Sequence, residues 1–173
     1  RNIQPNIFSI PESNHIDDYY MDVFCEGDDR VREYMSILLD KFHNAKEIGS
    51  LISISGVEME PLYERLNAVR EKIDLFSDNA MHEFEPIIKV ADILTRKYSV
   101  VATNPPYLNR YNDTLKEYLT ANYKDYSGDL FSAFMYRNLF YTERNGYTGF
   151  MTPFVWMFIK RYEKLRGYII ENK

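Results

Sequence analysis

Cysteine, glycine and proline are scarce in this 173-residue chain, which holds one Cys, seven Gly and seven Pro. The lone Cys25 excludes an internal disulfide, and no Cys/His pair has zinc-ligand spacing, so neither a disulfide framework nor a zinc module holds the fold. No run of eighteen apolar residues occurs, which argues against a membrane-spanning helix. The opening Arg1-Asn2-Ile3-Gln4 has neither a charged-then-apolar leader nor a cleavage site. A cytoplasmic, metal-free protein is the expectation. Without an initial Met, and with no tail beyond Glu171-Asn172-Lys173, the chain is expected to be a piece of something longer. What remains is ordinary globular composition, 45% hydrophobic and 27% charged, in a length that suits one domain with a real core.

Charge is unevenly spread. Residues 1–97 hold 11 basic and 19 acidic residues, whereas residues 98–173 hold 10 basic and 7 acidic. The second stretch also carries 11 of the 15 Tyr. Aromatics interleaved with Lys and Arg suit a nucleic-acid groove. The same composition describes a Tyr-rich core beneath a solvated basic face, and charge bias alone is a weak guide to partners.

Periodicity predicts the elements. Asn6 to Ile10 reads as a short strand closed by Pro11. Val31, Tyr34, Met35, Leu38, Leu39 and Phe42 predict a helix near 29–44, N-capped by Asp28 or Asp29. Leu51 to Ile54, bracketed by Gly49 and Gly56, is strand or loop. Helices follow through Leu62, Leu66, Val69, Ile73 and Phe76, and through Phe84, Ile87, Ile88, Ala91 and Leu94. The run Tyr98-Ser99-Val100-Val101-Ala102-Thr103 suits a strand buried on both faces of a parallel sheet. Beyond it, Leu115, Tyr118 and Leu119 suggest a short helix, and Asp129 caps a longer one through Leu130, Phe131, Phe134, Met135 and Leu139. Gly146 to Thr152 reads as a strand ended by Pro153, and Phe158, Tyr162, Leu165 and Ile169 as a last helix. Strand, helix, strand, helix is an α/β order with a right-handed crossover. No repeat, linker or domain boundary is visible.

Asn104-Pro105-Pro106-Tyr107 is the tetrapeptide that carries chemistry. It directly follows the predicted buried strand, and α/β proteins bind ligands just beyond the C-terminal ends of their strands. An aromatic amine such as N6 of adenine is a poor nucleophile because its lone pair is delocalised into the ring. Two acceptors aimed at its N–H groups shift electron density toward the nitrogen, and the Asn104 side-chain carbonyl and the Pro105 backbone carbonyl can supply them. Pro105 and Pro106 lack N–H groups and have fixed φ, so the loop is pre-organised. Tyr107 offers a ring face for a planar base. An ordinary turn also uses Asn and Pro; the position after Val100-Val101-Ala102 favours the functional reading.

Residues 98–107 resemble the fourth conserved motif, (N/D/S)PP(Y/F/W), of the amino-methyltransferases that use S-adenosylmethionine. Ser127-Gly128-Asp129-Leu130-Phe131-Ser132-Ala133-Phe134, Gly146 to Pro153, Trp156-Met157-Phe158 and Tyr162 to Arg166 extend the likeness. Together these segments resemble the adenine-specific DNA methyltransferases of BREX phage-defence systems and related fused restriction-modification enzymes, closely over residues 82–170, with Gly49-Ser50-Leu51-Ile52 also similar.

The resemblance implies a partial Rossmann-like class I methyltransferase sheet with flanking helices. It implies S-adenosyl-L-methionine as cofactor, double-stranded DNA with a flipped adenine as substrate, and other defence-system subunits as further partners. Asn104 and Pro105 would bind the target amino group, Pro106 would stiffen the loop, and Tyr107 would stack on the adenine. Asp129 and Phe131 would be cap and core or line the pocket, and Thr152, Pro153 and Trp156 core or active-site wall.

The family's glycine-rich cofactor loop has no counterpart here, because Gly27, Gly49 and Gly56 are isolated, and its ribose-binding acidic residue and target-recognition domain are not found either. The whole of 1–173 is therefore expected to be one segment of a catalytic domain, inactive alone. Asn6 to Ser13 is expected as the family's third strand, with Glu12 touching the cofactor. A protein-glutamine methyltransferase, which shares Asn-Pro-Pro-Tyr, and a non-catalytic scaffold are the alternatives. The edge of the 98–103 strand left open by the missing loop is expected either to drive self-association or to be covered by a strand near residues 6–10.

Overall fold

The computed structural model describes residues 5–72 and 75–172. They group into two compact units that meet in sequence between Thr95 and Arg96.

The first unit is helical. Its elements are α1 (Asp18–Cys25), α2 (Asp29–Lys41), α3 (Ala45–Ile48), α4 (Met59–Arg70) and α5 (Leu75–Thr95), with a 3-10 turn at Gly49–Leu51. The apolar positions that predicted helices point inward: Met35, Leu38, Phe42, Leu62, Leu66, Phe84, Ile87 and Ile88 are fully buried, as is Phe24 of α1. Phe24 of α1 meets Phe84 of α5 edge to face, with ring centroids 5.0 Å apart. Asp28 caps α2 as expected, its carboxylate accepting from the N–H groups of Arg30 and Val31 at 3.0 Å each.

Four expectations for this unit need correction. Residues 5–13 form no strand, and Ile7 and Phe8 stand exposed; five residues with Pro at either end find no pairing partner. Among the described residues no strand is therefore formed there to pair with the 98–103 strand. α2 stops at Lys41 rather than near 44, because Asn44 adopts a left-handed conformation (φ 53°). α4 ends at Arg70; of the two residues expected to extend it, Ile73 lies outside the described residues and Phe76 belongs to α5. A 3.6-residue period carries through a short turn between two helices, so periodicity alone merges them. α1, with Asp17 capping it, went unforeseen.

The second unit holds the sheet: β1 (Tyr98–Thr103), α6 (Asp113–Asn122), α7 (Leu130–Tyr141), β2 (Thr142–Phe150), 3-10 turns at Phe154–Met157 and Lys160–Tyr162, and α8 (Glu163–Asn172). β1 and β2 run parallel, joined through α6 and α7, as the strand-helix-strand order predicts. α7 packs against both strands. β2 begins earlier and stops sooner than expected, and the last helix starts only at Glu163, which leaves Phe158 exposed in the turn before it.

The register carries one irregularity. Tyr98 pairs with Thr142 and Val100 with Tyr147, so β2 uses extra residues around Glu143–Gly146. Asn145 takes φ 67° there. A β-carbon on Gly146 would lie 2.8 Å from Thr142 Cγ2 and 2.9 Å from the Ser99 carbonyl oxygen, so only glycine fits. From Val100 on, pairing is regular to Thr103–Phe150.

β1 is not buried on both faces. Val100 is 65% exposed, and Ser99 and Ala102 are also open. Burial on both faces needs layers on both sides of a wider sheet, and among the described residues β1 pairs with β2 alone. The apolar run records what the strand tolerates, not what covers it.

Replacing Asp28 by Ala removes an acceptor of two helix N–H groups. The variant is expected to lose about 1 kcal/mol of stability, read as a lower urea midpoint with an unchanged m-value.

Candidate active site

The chain leaves β1 at Thr103 and enters Asn104-Pro105-Pro106-Tyr107. Pro105 is buried; Asn104 and Pro106 are exposed, and Tyr107 is 54% exposed. The tetrapeptide is therefore anchored at Pro105 and open at Asn104, Pro106 and Tyr107.

Met151, the residue just after β2, grips this loop from both ends. Its N–H donates to the Thr103 carbonyl at 3.0 Å, continuing the sheet ladder, and its own carbonyl accepts from the Tyr107 hydroxyl at 2.8 Å. Two consecutive prolines give the loop no N–H groups at 105 and 106, so such outside ties determine its path. Further along, the first N–H of α7, on Leu130, donates to the Leu108 carbonyl at 2.8 Å, and the Tyr111 hydroxyl donates to the Ser127 carbonyl at 3.2 Å.

The Tyr107 hydroxyl also stands 3.3 Å from Asn104 Oδ1. A hydroxyl has one proton, and the 2.8 Å bond to Met151 is the better one. Asn104 Oδ1 thus keeps acceptor capacity on an exposed side chain. The Tyr107 ring meets Phe131 edge-on, centroids 6.5 Å apart at 90°. Phe131 itself is buried with Met135, Tyr162 and Leu165, against which Trp156 packs. The loop is backed by core.

Residues 31–173 match the Eco57I restriction-modification methylase family. The chain belongs to that family. It is 34% identical over 137 residues to the adenine-specific methyltransferase BrxX of Escherichia coli O9:H4 (strain HS), an alignment covering 76% of this chain and 11% of that protein. It is 30% identical over 173 residues to the adenine-specific methyltransferase PglX of Lacticaseibacillus casei (strain Zhang), covering 95% of this chain and 14% of the relative. The chain thus spans between a tenth and a seventh of the length of these curated relatives.

In this Eco57I-family segment, Asp129 does something other than cap a helix. It occupies the N-cap position of α7, yet its carboxylate accepts no helix N–H. Instead it accepts from the Tyr162 hydroxyl at 2.5 Å and lies 3.4 Å from the Arg161 guanidinium. The Leu130 N–H is taken by the Leu108 carbonyl and the Ser132 N–H by the Asp129 backbone carbonyl, while the Asp129 carboxylate ties α7 to the Lys160–Tyr162 turn. Burial, then the bond to and charge of Asp129, push the Tyr162 hydroxyl up to about 12. Burial and the same carboxylate, opposed by Arg161, push Tyr111 to about 12.

Of the other residues singled out from sequence, Thr152 Oγ1 accepts from the Trp156 indole N–H at 3.2 Å, a local brace behind the loop. Glu12 belongs to the first unit, where its carboxylate accepts from the Lys46 backbone N–H at 3.3 Å and pairs with Lys46 Nζ at 3.2 Å. Met151 and Arg161 went unremarked in the sequence. Met151 acts through its backbone, which any residue type offers, so only the strand register reveals it. The nearest signal for Arg161 is Gly128, where a β-carbon would collide with the Arg161 guanidinium.

The raised tyrosines predict alkaline sensitivity. The folded state holds protons up to about pH 12 that the unfolded chain releases near 10. Their contribution is fully present below pH 10 and is lost as pH rises toward 12. Denaturant melts across this range should show falling stability, with a shallower fall for Tyr162→Phe; an identical pH dependence in the two proteins would contradict the assignment.

Proposed function

We propose that this chain is the catalytic-loop segment of a site-specific DNA adenine methyltransferase of a restriction-modification or BREX-type defence system. The full protein would transfer a methyl group to N6 of an adenine flipped out of the duplex. The observation that carries the reading is the exposed Asn104 carbonyl at the C-terminal end of a parallel strand, in a loop clamped on both sides by Met151. The names of BrxX and PglX, both adenine-specific methyltransferases, support it. In this reading β1 and β2 are two strands of a larger Rossmann-like sheet.

The chemistry asked of these residues is modest. Asn104 Oδ1 and the Pro105 carbonyl accept from the two amino N–H groups. As the nitrogen attacks, its lone pair leaves ring conjugation and the N–H groups become more acidic, so both hydrogen bonds strengthen in the transition state and lower the barrier. Pro106 holds φ, so the acceptors need no reorganisation. Tyr107 stacks its open ring on the adenine, compensating the stacking forfeited on flipping.

The methyl donor in this reading is S-adenosylmethionine, and the glycines of this chain do not fit its methionine half. Gly27, Gly49 and Gly56 all have positive φ, but they lie singly in separate turns and form no shared cradle. That part of the site belongs to the remainder of the protein. Glu12, the one cofactor-side carboxylate suggested by the sequence, would have to release both of its bonds to Lys46 to serve.

In the full-length protein, Asn104→Ala is expected to lower the methylation rate about a hundredfold, or about 3 kcal/mol, with unchanged folding. A near wild-type rate in a single-turnover assay would overturn the reading. Tyr107→Ala removes a stacking surface and should lose about 1–3 kcal/mol of binding and transfer. Tyr107→Phe keeps the ring and forfeits only the bond to Met151, roughly 1 kcal/mol. If Phe damages the enzyme as much as Ala, the hydroxyl matters more than the ring.

A further inference from the structure

Six of the twelve cations of the second unit gather around one stretch of backbone, Ser127-Gly128. Two cavities of about 420 and 410 Å³ share Ser127, Gly128 and Arg161 as a common wall. The first is lined by Lys124, Lys160 and Lys164 besides Arg161, against the carboxylates Asp125 and Glu163. The second is lined by Arg110 and Lys116 besides Arg161, and by no carboxylate. This excess of positive charge belongs to a chain whose net charge is −5.

The partners of these cations separate framework from free charge. Arg161 is held by the Gly128 carbonyl and by Asp129, so it is a fixed ridge between the cavities. Lys164 is paired with Asp125 at 2.5 Å. Arg110, Lys116, Lys124 and Lys160 are exposed and have no ion-pair partner among the described residues. Two free cations therefore stand on each side of the ridge. The neighbouring aromatic surface is already used: Tyr126 stacks on Tyr136, ring centroids 3.9 Å apart, and Tyr136 packs in turn on Tyr123, Phe140 and Tyr168. A ligand here meets charge, amides and the half-buried Tyr111, whose hydroxyl is tied to the Ser127 carbonyl.

We propose that the two cavities bind the phosphodiester backbone of the DNA, successive phosphates of one strand lying on either side of the Arg161 ridge. Unpaired cations spaced on either side of a fixed one suit a repeated anion, which phosphates supply and bases do not. The placement suits the loop, since Arg110 follows Asn104 by six residues and Tyr111 and Leu108 tie that stretch to Ser127 and Leu130. The identity of the polyanion as DNA rests on the methyltransferase reading; the site itself rests on the cavities and the free cations.

The test is duplex binding by the full-length protein, followed by fluorescence anisotropy over a salt series. The variants are Arg110→Gln with Lys116→Gln and, independently, Lys124→Gln with Lys160→Gln. All four side chains are exposed, and unchanged circular dichroism will confirm folding. For every phosphate no longer neutralised, the slope of log K against log salt should shrink by about 0.9 and binding should weaken roughly fivefold near 0.15 M salt. The weakening should be equal for duplexes with and without the target site. Unchanged slopes in both double variants overturn the proposal, as does a weakening confined to one DNA sequence. Tighter binding of duplex RNA through the same residues overturns the assignment to DNA. A parent protein that binds DNA in this way but never methylates it refutes the methyltransferase reading and leaves the cleft standing; one that methylates while the variants keep the parental slope refutes the cleft alone.

Discussion

The parallel pairing of β1 with β2 is the constraint on which the candidate site depends. Once Thr103 is in register with Phe150, the residue just after β2, Met151, is placed to continue the ladder to the Thr103 carbonyl. Its own carbonyl then faces the outgoing chain and receives the Tyr107 hydroxyl. The Asn-Pro-Pro-Tyr loop has little means of satisfying itself, so its shape is borrowed from the neighbouring strand. A register slip on β2 would carry Met151 away and release the loop. The crowding at Gly146, which leaves no room for a β-carbon, helps fix that register.

The aromatic richness of the second unit serves packing more than recognition. Tyr107 and Tyr147 are exposed, while the other tyrosines of this unit are buried or half-buried. Tyr126 stacks on Tyr136 and Phe140 on Tyr168, and Tyr136 and Tyr168 join the two pairs edge to face. Burial raises the hydroxyl groups of Tyr123, Tyr126, Tyr141 and Tyr168 above their usual range, as expected of rings that belong to a core. The charge bias, by contrast, stays on the surface, and Arg137 is the exception: it is buried, donates to the Tyr141 hydroxyl at 3.1 Å and lies 4.4 Å from that ring.

Helices with one apolar stripe and one polar face were legible in the sequence. α2 and its Asp28 cap, α6, α7 and most of α5 follow from spacing alone, as does the strand that delivers Asn104. Four kinds of feature were not. The short N-terminal run of residues 6–10 has strand composition, but a strand exists only with a partner, which composition does not supply. The covering of β1 depends on what lies beside the sheet, and a run such as Val100-Val101-Ala102 reads alike in either case. Asp129 sits at a helix start and reads as a cap; its actual partner, Tyr162, is 33 residues away. The motif was legible because it is contiguous, and the clamp on it was not, because Met151 acts through its peptide groups.

The most direct measurement is a crystal structure of the full-length protein with a duplex carrying its target adenine. The account predicts that adenine flipped out of the helix against Tyr107, with N6 about 2.7–3.2 Å from both Asn104 Oδ1 and the Pro105 carbonyl. An adenine left stacked in the duplex beside a correctly seated protein, or an N6 held by other residues while Asn104 faces solvent, would contradict it.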